Sequence, residues 1–220
     1  LTEPLCRVAR RVHAVEIDTE LAERLSGRGL SNLEIHHIDF LKADLQNTLG
    51  PDAQDSLVIA ANLPYYITAP ILECLFWIRP LKIKRAVLMM QDEVARRVCR
   101  PATREAGALT YIAGAYFEAR YLFKVPPGCF APPPKVDSAV VEFTPKSEFQ
   151  DEKRSLASLY EKIVSTAFQA RRKQLATSLK TLHPQAAEHL QRAGIEPSRR
   201  PETLLVEEFW RAARSWHHRE

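Results

Sequence analysis

Ser56-Leu-Val-Ile-Ala-Ala61-Asn62-Leu63-Pro64-Tyr65-Tyr66 is the stretch on which the reading of this chain turns. The apolar run Ser56–Ala61 has the length and composition of a buried strand. It ends in a side-chain amide, a proline and two aromatic rings. In open α/β sheets ligands collect at the carboxyl ends of the strands, so Asn62, Tyr65 and Tyr66 are expected at the mouth of a site. Asn offers an acceptor and two donors, and Tyr offers a flat face with a polar tip. Such a set suits a planar, hydrogen-bonding group like a nucleobase. The same residues also serve simply to end a strand, because Asn and Pro are common in turns. The stretch alone does not separate the two readings.

Outward from it, apolar strands alternate with helical patterns. Thr2-Glu3-Pro4 reads as a helix start, with Thr2 as the capping hydroxyl and the helix running to about Arg11. Val12–Asp18 is a strand, Thr19 to about Arg28 a helix closed by Gly29, and Leu33–Asp39 another strand. A polar loop around Gly50-Pro51 leads to the strand ending at Asn62. Thr68 is read as the cap of a helix from Ala69 to about Ile78, followed by a strand at Arg85–Met90. Helices fit Gln91 to about Arg100 and Ala108 to Phe117. Tyr121–Val125 and Ser138–Phe143 then read as paired strands around a loop with five prolines: Pro126, Pro127, Pro132, Pro133 and Pro134. This order predicts a mostly parallel sheet with an antiparallel edge.

Beyond Pro145 only helices are expected. Leu156, Leu159, Tyr160, Ile163, Val164, Ala167 and Phe168 form one apolar stripe at helical spacing. A junction at 146–152 therefore divides a unit 1–145 from a helical unit 146–220.

The 220 residues suit one large domain or one plus a small one. A 45% hydrophobic and 26% charged composition is that of a soluble globular protein. No apolar run reaches the roughly 18 residues of a membrane span, and no secretory signal is expected ahead of Leu1, although the chain begins without Met. Cys6, Cys74, Cys99 and Cys129 are scattered without a C-x-x-C pair, which predicts reduced, buried cysteines in a cytosolic protein. The histidines show no paired metal spacing, so no metal is expected. Residues 1–145 carry 17 basic and 17 acidic side chains, so the +4 surplus falls in 146–220, with 14 against 10. A basic patch there suits phosphates, and solvated helix faces would give the same count.

Three polar residues fall at or near successive strand ends: Glu16, Asp39 and Asn62. An acid near a strand end can hold ribose hydroxyls, and Asp39 can accept from an adenine amine. Asp18 is read as a helix cap. The proline-dense segment Val125–Ser138 is stiff, so Phe130 beside Lys135 suits a stacked base; packing under its own loop is the plainer fate for Phe130. Arg171-Arg172-Lys173 follow an apolar helix, and Arg96, Arg97 and Arg100 share another face. Both sets suit phosphate contacts, and both suit neutralisation of a helix end.

Asn62-Leu-Pro-Tyr65, the segment Val125–Ser138, the segment Phe168–Leu179 and Gly194-Ile-Glu-Pro197 through Glu207-Glu-Phe209 together resemble the KsgA family of ribosomal RNA adenine N6-dimethyltransferases. The likeness runs from Leu1 almost to the C-terminus. It implies a Rossmann-like α/β sheet dependent on S-adenosylmethionine, followed by a small all-α domain that binds RNA. The implied substrate is a small-subunit rRNA hairpin with two adjacent adenines, in an immature small subunit; the implied protein is a cytoplasmic monomer, free of metal and membrane. By position, Glu16 and Ile17 would meet the ribose side of the cofactor and Asp39 and Phe40 its adenine. Asn62, which would also meet the cofactor, would with Leu63 or Pro64 serve the reacting amine, while Tyr65 and Phe130 would stack on the target base. Arg96, Arg97, Lys135, Arg171, Arg172 and Lys173 would meet RNA. The other outcome considered is a non-catalytic RNA-binding assembly factor on the same fold.

Two departures stand out. Leu1-Thr2 look like the tail of the family's G-x-G-x-G-x-L-T motif, so the first central strand and the loop cradling the methionine half are expected upstream of Leu1. The chain as given is expected to bind the cofactor poorly. Ala108 stands where the family usually has Arg.

Overall fold

The computed structural model describes residues 1–54, 56–77, 82–146 and 151–217. In chain order the helices and strands are α1 (Thr2–Cys6), β1 (Val12–Glu16), α2 (Thr19–Ser26), β2 (Leu33–His37), α3 (Leu45–Leu49), β3 (Ser56–Asn62), α4 (Thr68–Trp77), β4 (Lys82–Gln91), α5 (Asp92–Cys99), α6 (Ala108–Tyr116), β5 (Phe117–Val125) and β6 (Ser138–Pro145). Four helices follow: α7 (Asp151–Gln169), α8 (Leu175–Leu179), α9 (Ala186–Arg192) and α10 (Val206–His217).

The strands form two pieces. β1 pairs parallel with β2, and a second sheet has the order β3-β4-β6-β5. Within it β3 and β4 are parallel, while β6 runs antiparallel to both β4 and β5. The expected α/β fold is present, with β5 outermost, but the sheet is mixed instead of mostly parallel, since among the described residues two ladders are parallel and two antiparallel. Among the described residues no ladder joins β1 to β3.

Side chains tie the two pieces together. The stretch read as a polar loop contains α3, capped by Asp44, which accepts from Asn47 N at 3.2 Å. Its buried Leu45 packs against Val15 of β1, Phe40, Leu57 of β3 and Ile83 of β4. Polar contacts reinforce this bridge. Arg11, just before β1, and His13 on it reach Asp52, which precedes β3, at 3.0 and 2.9 Å.

His13 also meets His36 of β2, Nδ1 to Nε2 at 2.9 Å. With Glu34, these are a group of metal-type side chains. The two rings lie within 12° of coplanar with centroids 5.2 Å apart, so the nitrogens point straight at each other. That is an N–H···N hydrogen bond. A shared cation, with nitrogens about 2.0–2.1 Å from it, would need the lone pairs to converge at an angle or the rings to stand farther apart. Arg11, 2.5 Å from Glu34, occupies one carboxylate oxygen as well.

The helices after β6 share their core with the sheet. One cluster of buried residues runs from Leu72, Leu88 and Phe143 to Ile163, Phe209 and Trp210. The predicted stripe on α7 is buried at Leu156, Tyr160, Ile163, Val164 and Ala167, with Leu159 and Phe168 partly so. α6 is the element common to both parts. Its Tyr111 donates to Leu204 O at 2.8 Å and receives Phe209 edge-on, while Tyr160 donates to Tyr111 O at 2.9 Å. Gly114 lets α6 and α10 approach closely, since a Cβ there would lie 2.9 Å from Val206 Cγ2.

Several local expectations are corrected. α1 stops at Cys6, short of Arg11, and Thr2 lies inside it without capping it. Thr68 starts α4, and its hydroxyl donates back to Pro64 O at 3.0 Å instead of capping. β1 and β2 each end two residues early, because Asp18 and Asp39 cap the turns that follow. All four cysteines are free, but none is buried and Cys129 is exposed. The expected helix end at Ile78 and residues 147–150 of the expected junction lie outside the described residues.

Two predictions follow from the packing. Gly→Ala in a helix interior ordinarily gains about 0.5–1 kcal/mol, but Gly114→Ala drives a methyl into a β-branched neighbour. It should lower stability by about 1–3 kcal/mol, read as a fall in the urea midpoint. Burial holds the His36 imidazole below its ordinary value, partly offset by Glu34. The unfolded chain therefore takes up this proton first, and stability falls with pH once it drops below about 6.5. Denaturant titrations from pH 7.5 to 5 should show that fall, and His36→Gln should flatten it.

Candidate active site

The end of β3 is built around one buried leucine. Leu63 continues the pairing past the strand, its N–H donating to Met89 O at 2.9 Å. Its side chain is buried, whereas Asn62 and Pro64 on either side are exposed. Pro64 takes an extended backbone (φ −61°, ψ 128°), and a 3-10 turn over Tyr65–Ile67 leads into α4. The Pro64 carbonyl is occupied twice, by Ile67 N–H at 3.2 Å and by the Thr68 hydroxyl at 3.0 Å. With both lone pairs of that oxygen used, the Leu63 carbonyl is the main-chain acceptor left beside Asn62. Sequence reasoning left Leu63 and Pro64 open as alternatives. The Thr68 hydroxyl on the Pro64 carbonyl favours Leu63, and its spacing four residues after Pro64 was the available signal.

Tyr65 is half-buried and Tyr66 is 84% exposed. The Tyr65 hydroxyl shares a 2.5 Å hydrogen bond with Ser138 Oγ. Ser138 is wholly buried and stands opposite Val125 in the β5–β6 ladder. These two residues are the feet of the proline-rich loop. The loop turns at Pro127–Cys129, with Cys129 N and Phe130 N donating to Pro126 O and Pro127 O at 3.0 and 3.1 Å. Phe130 emerges half-buried and extended, and Lys135 is exposed. The structure thus joins the Tyr65 turn to the base of the Phe130 loop through Ser138, a contact sequence reasoning missed.

Glu16 and Asp39 sit on the other sheet piece, at neighbouring strand ends. Ile38 N donates to Glu16 O at 3.1 Å, which places Asp39 one residue beyond the pair. Glu16 Oε1 accepts from Ile17 N and Asp18 N, both at 2.9 Å, leaving Oε2 for another donor. Asp39 Oδ1 accepts from Leu41 N at 3.0 Å, and Lys42 Nζ lies 3.6 Å from Oδ2. Ile17 is 63% exposed, and Phe40 is partly buried against the core. A cavity of about 320 Å³ opens beside Glu16, lined also by Thr2, Leu21, Arg24, Leu25 and Arg28. Two carboxylates with an exposed aliphatic residue beside them suit the hydroxyls, amine and flat ring of an adenosine.

The basic candidates differ in their partners. Arg96 donates to Asp92 at 2.8 Å and lies over the Tyr121 ring, and Arg97 pairs with Glu93 at 2.5 Å. Tyr121 donates to Asp92 at 2.7 Å as well. Burial pushes the Asp92 carboxyl up, yet the hydrogen bonds from Arg96 and Tyr121 outweigh it and leave the group below its ordinary value. Arg171, Arg172 and Lys173 are exposed in the turn between α7 and α8, where Arg171 donates to Arg104 O. Ala108 is the first residue of α6, where Gly107 N donates to Thr110 Oγ1 at 3.0 Å. That helix start is formed without an arginine.

The chain matches the family model described as ribosomal RNA adenine dimethylase over residues 1–217. It is 37% identical over 215 residues to ribosomal RNA small subunit methyltransferase A of Clostridium botulinum (strain Loch Maree), covering 95% of this chain and 77% of that one. The protein of the same name from Chlamydia caviae is 40% identical over 212 residues, covering 95% and 75%. Among solved structures, the 23S rRNA methyltransferase ErmE superposes with a TM-score of 0.70 at 26% identity, over 97% of this chain and 85% of that one. A dimethyladenosine transferase from Plasmodium falciparum gives 0.76 at 24% identity over 96% and 83%, a likeness of fold. An exposed amide beside an open carbonyl at a strand end, an anchored tyrosine next to it, and a match along almost the whole length lead to one statement: the chain belongs to the ribosomal RNA adenine dimethylase family.

Proposed function

We propose that this protein dimethylates the N6 amines of two adjacent adenines in a hairpin of small-subunit (16S) rRNA during assembly of the small subunit, with S-adenosylmethionine as donor. The observation that carries the reading is the β3 exit, where the Asn62 amide is exposed next to the Leu63 carbonyl, while the neighbouring Pro64 carbonyl already accepts from Ile67 N and the Thr68 hydroxyl. Identities of 37–40% to enzymes named for the small subunit, against 26% to one named for 23S rRNA, support the small-subunit branch.

The donor, when bound, supplies a methyl group activated on a sulfonium. Glu16 and Ile17 would hold its ribose, with Asp39 and Phe40 at its adenine. The rest falls to this chain's own residues. An exocyclic adenine amine is a weak nucleophile because its lone pair is delocalised into the ring. Asn62 Oδ1 and Leu63 O each accept one amine hydrogen, which draws both hydrogens to one side and favours a pyramidal nitrogen with a directed lone pair. No strong base is required, since the alkylated ammonium is acidic and exposed Asn62 stands within reach of water. Positioning of this kind supplies on the order of 7–11 kcal/mol of a barrier.

The target base has to leave its stack first. Tyr65 and Phe130 stack on it, at roughly 1–3 kcal/mol per base, and offset part of that cost. Arg171, Arg172, Lys173 and Lys135 give the principal phosphate contacts. Arg96 and Arg97 add to them from a face already balanced by Asp92 and Glu93. The helical unit 146–220 thereby acts as an RNA-binding domain beside the catalytic unit 1–145. The protein works as a cytoplasmic monomer, without a metal.

Transfer of radioactive methyl groups to small subunits that lack the modification tests the reading. Asn62→Ala should slow transfer by at least about 100-fold while leaving RNA affinity and thermal stability unchanged. Full activity in that variant overturns the role given to Asn62. Binding of the rRNA hairpin should weaken steeply with salt, and changing Arg171, Arg172 and Lys173 together to Gln should reduce the slope of log Kd against log salt by about 2. An unchanged slope removes the phosphate contact from that turn.

A further inference from the structure

We infer that Ser138 is a positioning residue for the methyl transfer: its hydroxyl fixes where the Tyr65 ring stands against the target base. The inference rests on the reading of Tyr65 as a stacking face. It starts from a mechanical problem at the β3 exit. Tyr65 stands on a three-residue turn after a proline, half-exposed, and rotation about its Cα–Cβ bond among staggered rotamers swings the whole ring. A ring free to swing would stack on a base in many poses, few of which bring the amine to Asn62 and Leu63.

The hydrogen bond at the far tip of the ring removes that freedom. Ser138 Oγ lies 2.5 Å from the Tyr65 hydroxyl, across 73 residues of sequence. The serine has no latitude of its own. It is 0% exposed, opens β6, and its backbone is laddered on both sides, to Gln91 of β4 and Val125 of β5. The tip of the ring is therefore tied to the middle of the sheet, and its root to β4 through Leu63. Ser138 and Val125 are also the feet of the loop that carries Phe130, so both proposed stacking residues take their placement from one ladder pair. A purely structural serine would need only some partner for a buried hydroxyl. This one uses the side chain that faces the substrate.

The test measures two quantities for Ser138→Ala, Tyr65→Phe, the double variant and Tyr65→Leu. The first is the single-turnover rate of methyl transfer at saturating S-adenosylmethionine and rRNA, and the second is the Kd for the rRNA hairpin. Ser138→Ala and Tyr65→Phe should each lower the rate by about tenfold, the worth of one well-placed hydrogen bond, with Kd changed by no more than about twofold. The double variant should be no slower than either single one, because both remove the same bond. Wild-type rates in both single variants overturn the inference, as do losses that multiply in the double variant. Should Ser138→Ala fail to fold, Tyr65→Phe decides alone, since it removes the bond from the half-exposed partner and leaves the core intact. Tyr65→Leu keeps the two readings apart. A normal rate there overturns stacking by Tyr65 altogether. A slow Tyr65→Leu beside normal Tyr65→Phe and Ser138→Ala overturns only the role of Ser138.

Discussion

The site depends on a hydrogen bond that extends the β3–β4 ladder by one residue, from Leu63 N to Met89 O. Because the backbone stays paired through Leu63, its side chain remains buried and its neighbours are forced outward. Asn62 is thereby exposed without leaving the sheet. Proline then fixes the chain direction, and the 3-10 turn after it and the first residue of α4 fill the Pro64 carbonyl with two donors. The carbonyl of Leu63 is spared by that arrangement. A strand end, a proline and a threonine together produce an acceptor pair that neither a regular strand nor a regular helix would leave open.

A second constraint is the division of the strands. Glu16 and Asp39 belong to the β1–β2 pair, whereas Asn62 belongs to the four-stranded sheet. Across the break, the spacing between the Glu16–Asp39 edge and the turn after β3 is held by side chains: Leu45 against Val15, Leu57 and Ile83, and Asp52 with Arg11 and His13. Main-chain ladders are stiff and set register to a residue. Apolar packing and ion pairs set it less sharply.

Much of the fold was legible because its signals are local. β3 begins and ends where its apolar run does, and α7 carries the predicted stripe into the core. The misses were local conflicts that tertiary contacts settled. β4 runs from Lys82 to Gln91, longer than the apolar run Arg85–Met90, because pairing with β3 continues through its polar start. α3 has one buried residue in five, too few for a periodic signal, yet that residue joins the two sheet pieces. Thr2 and Thr68 have the side chain of a cap, but neither caps its helix.

By itself the sequence determined the alternation of strands and helices, the change to helices after Pro145, and the residue types of the site. Each of these is written in neighbouring side chains: apolar runs, periodic stripes, an amide before a proline. The tertiary structure alone decided which carbonyl stands open beside Asn62, which arginines already have acid partners, and that Tyr65 is tied to Ser138. These are contacts between residues from four to 73 positions apart. No short window holds both members of the longest pair, and even the near ones depend on whether the chain bends as a strand end or a helix start. Backbone pairing made that choice, and the side chains of the site were placed by it.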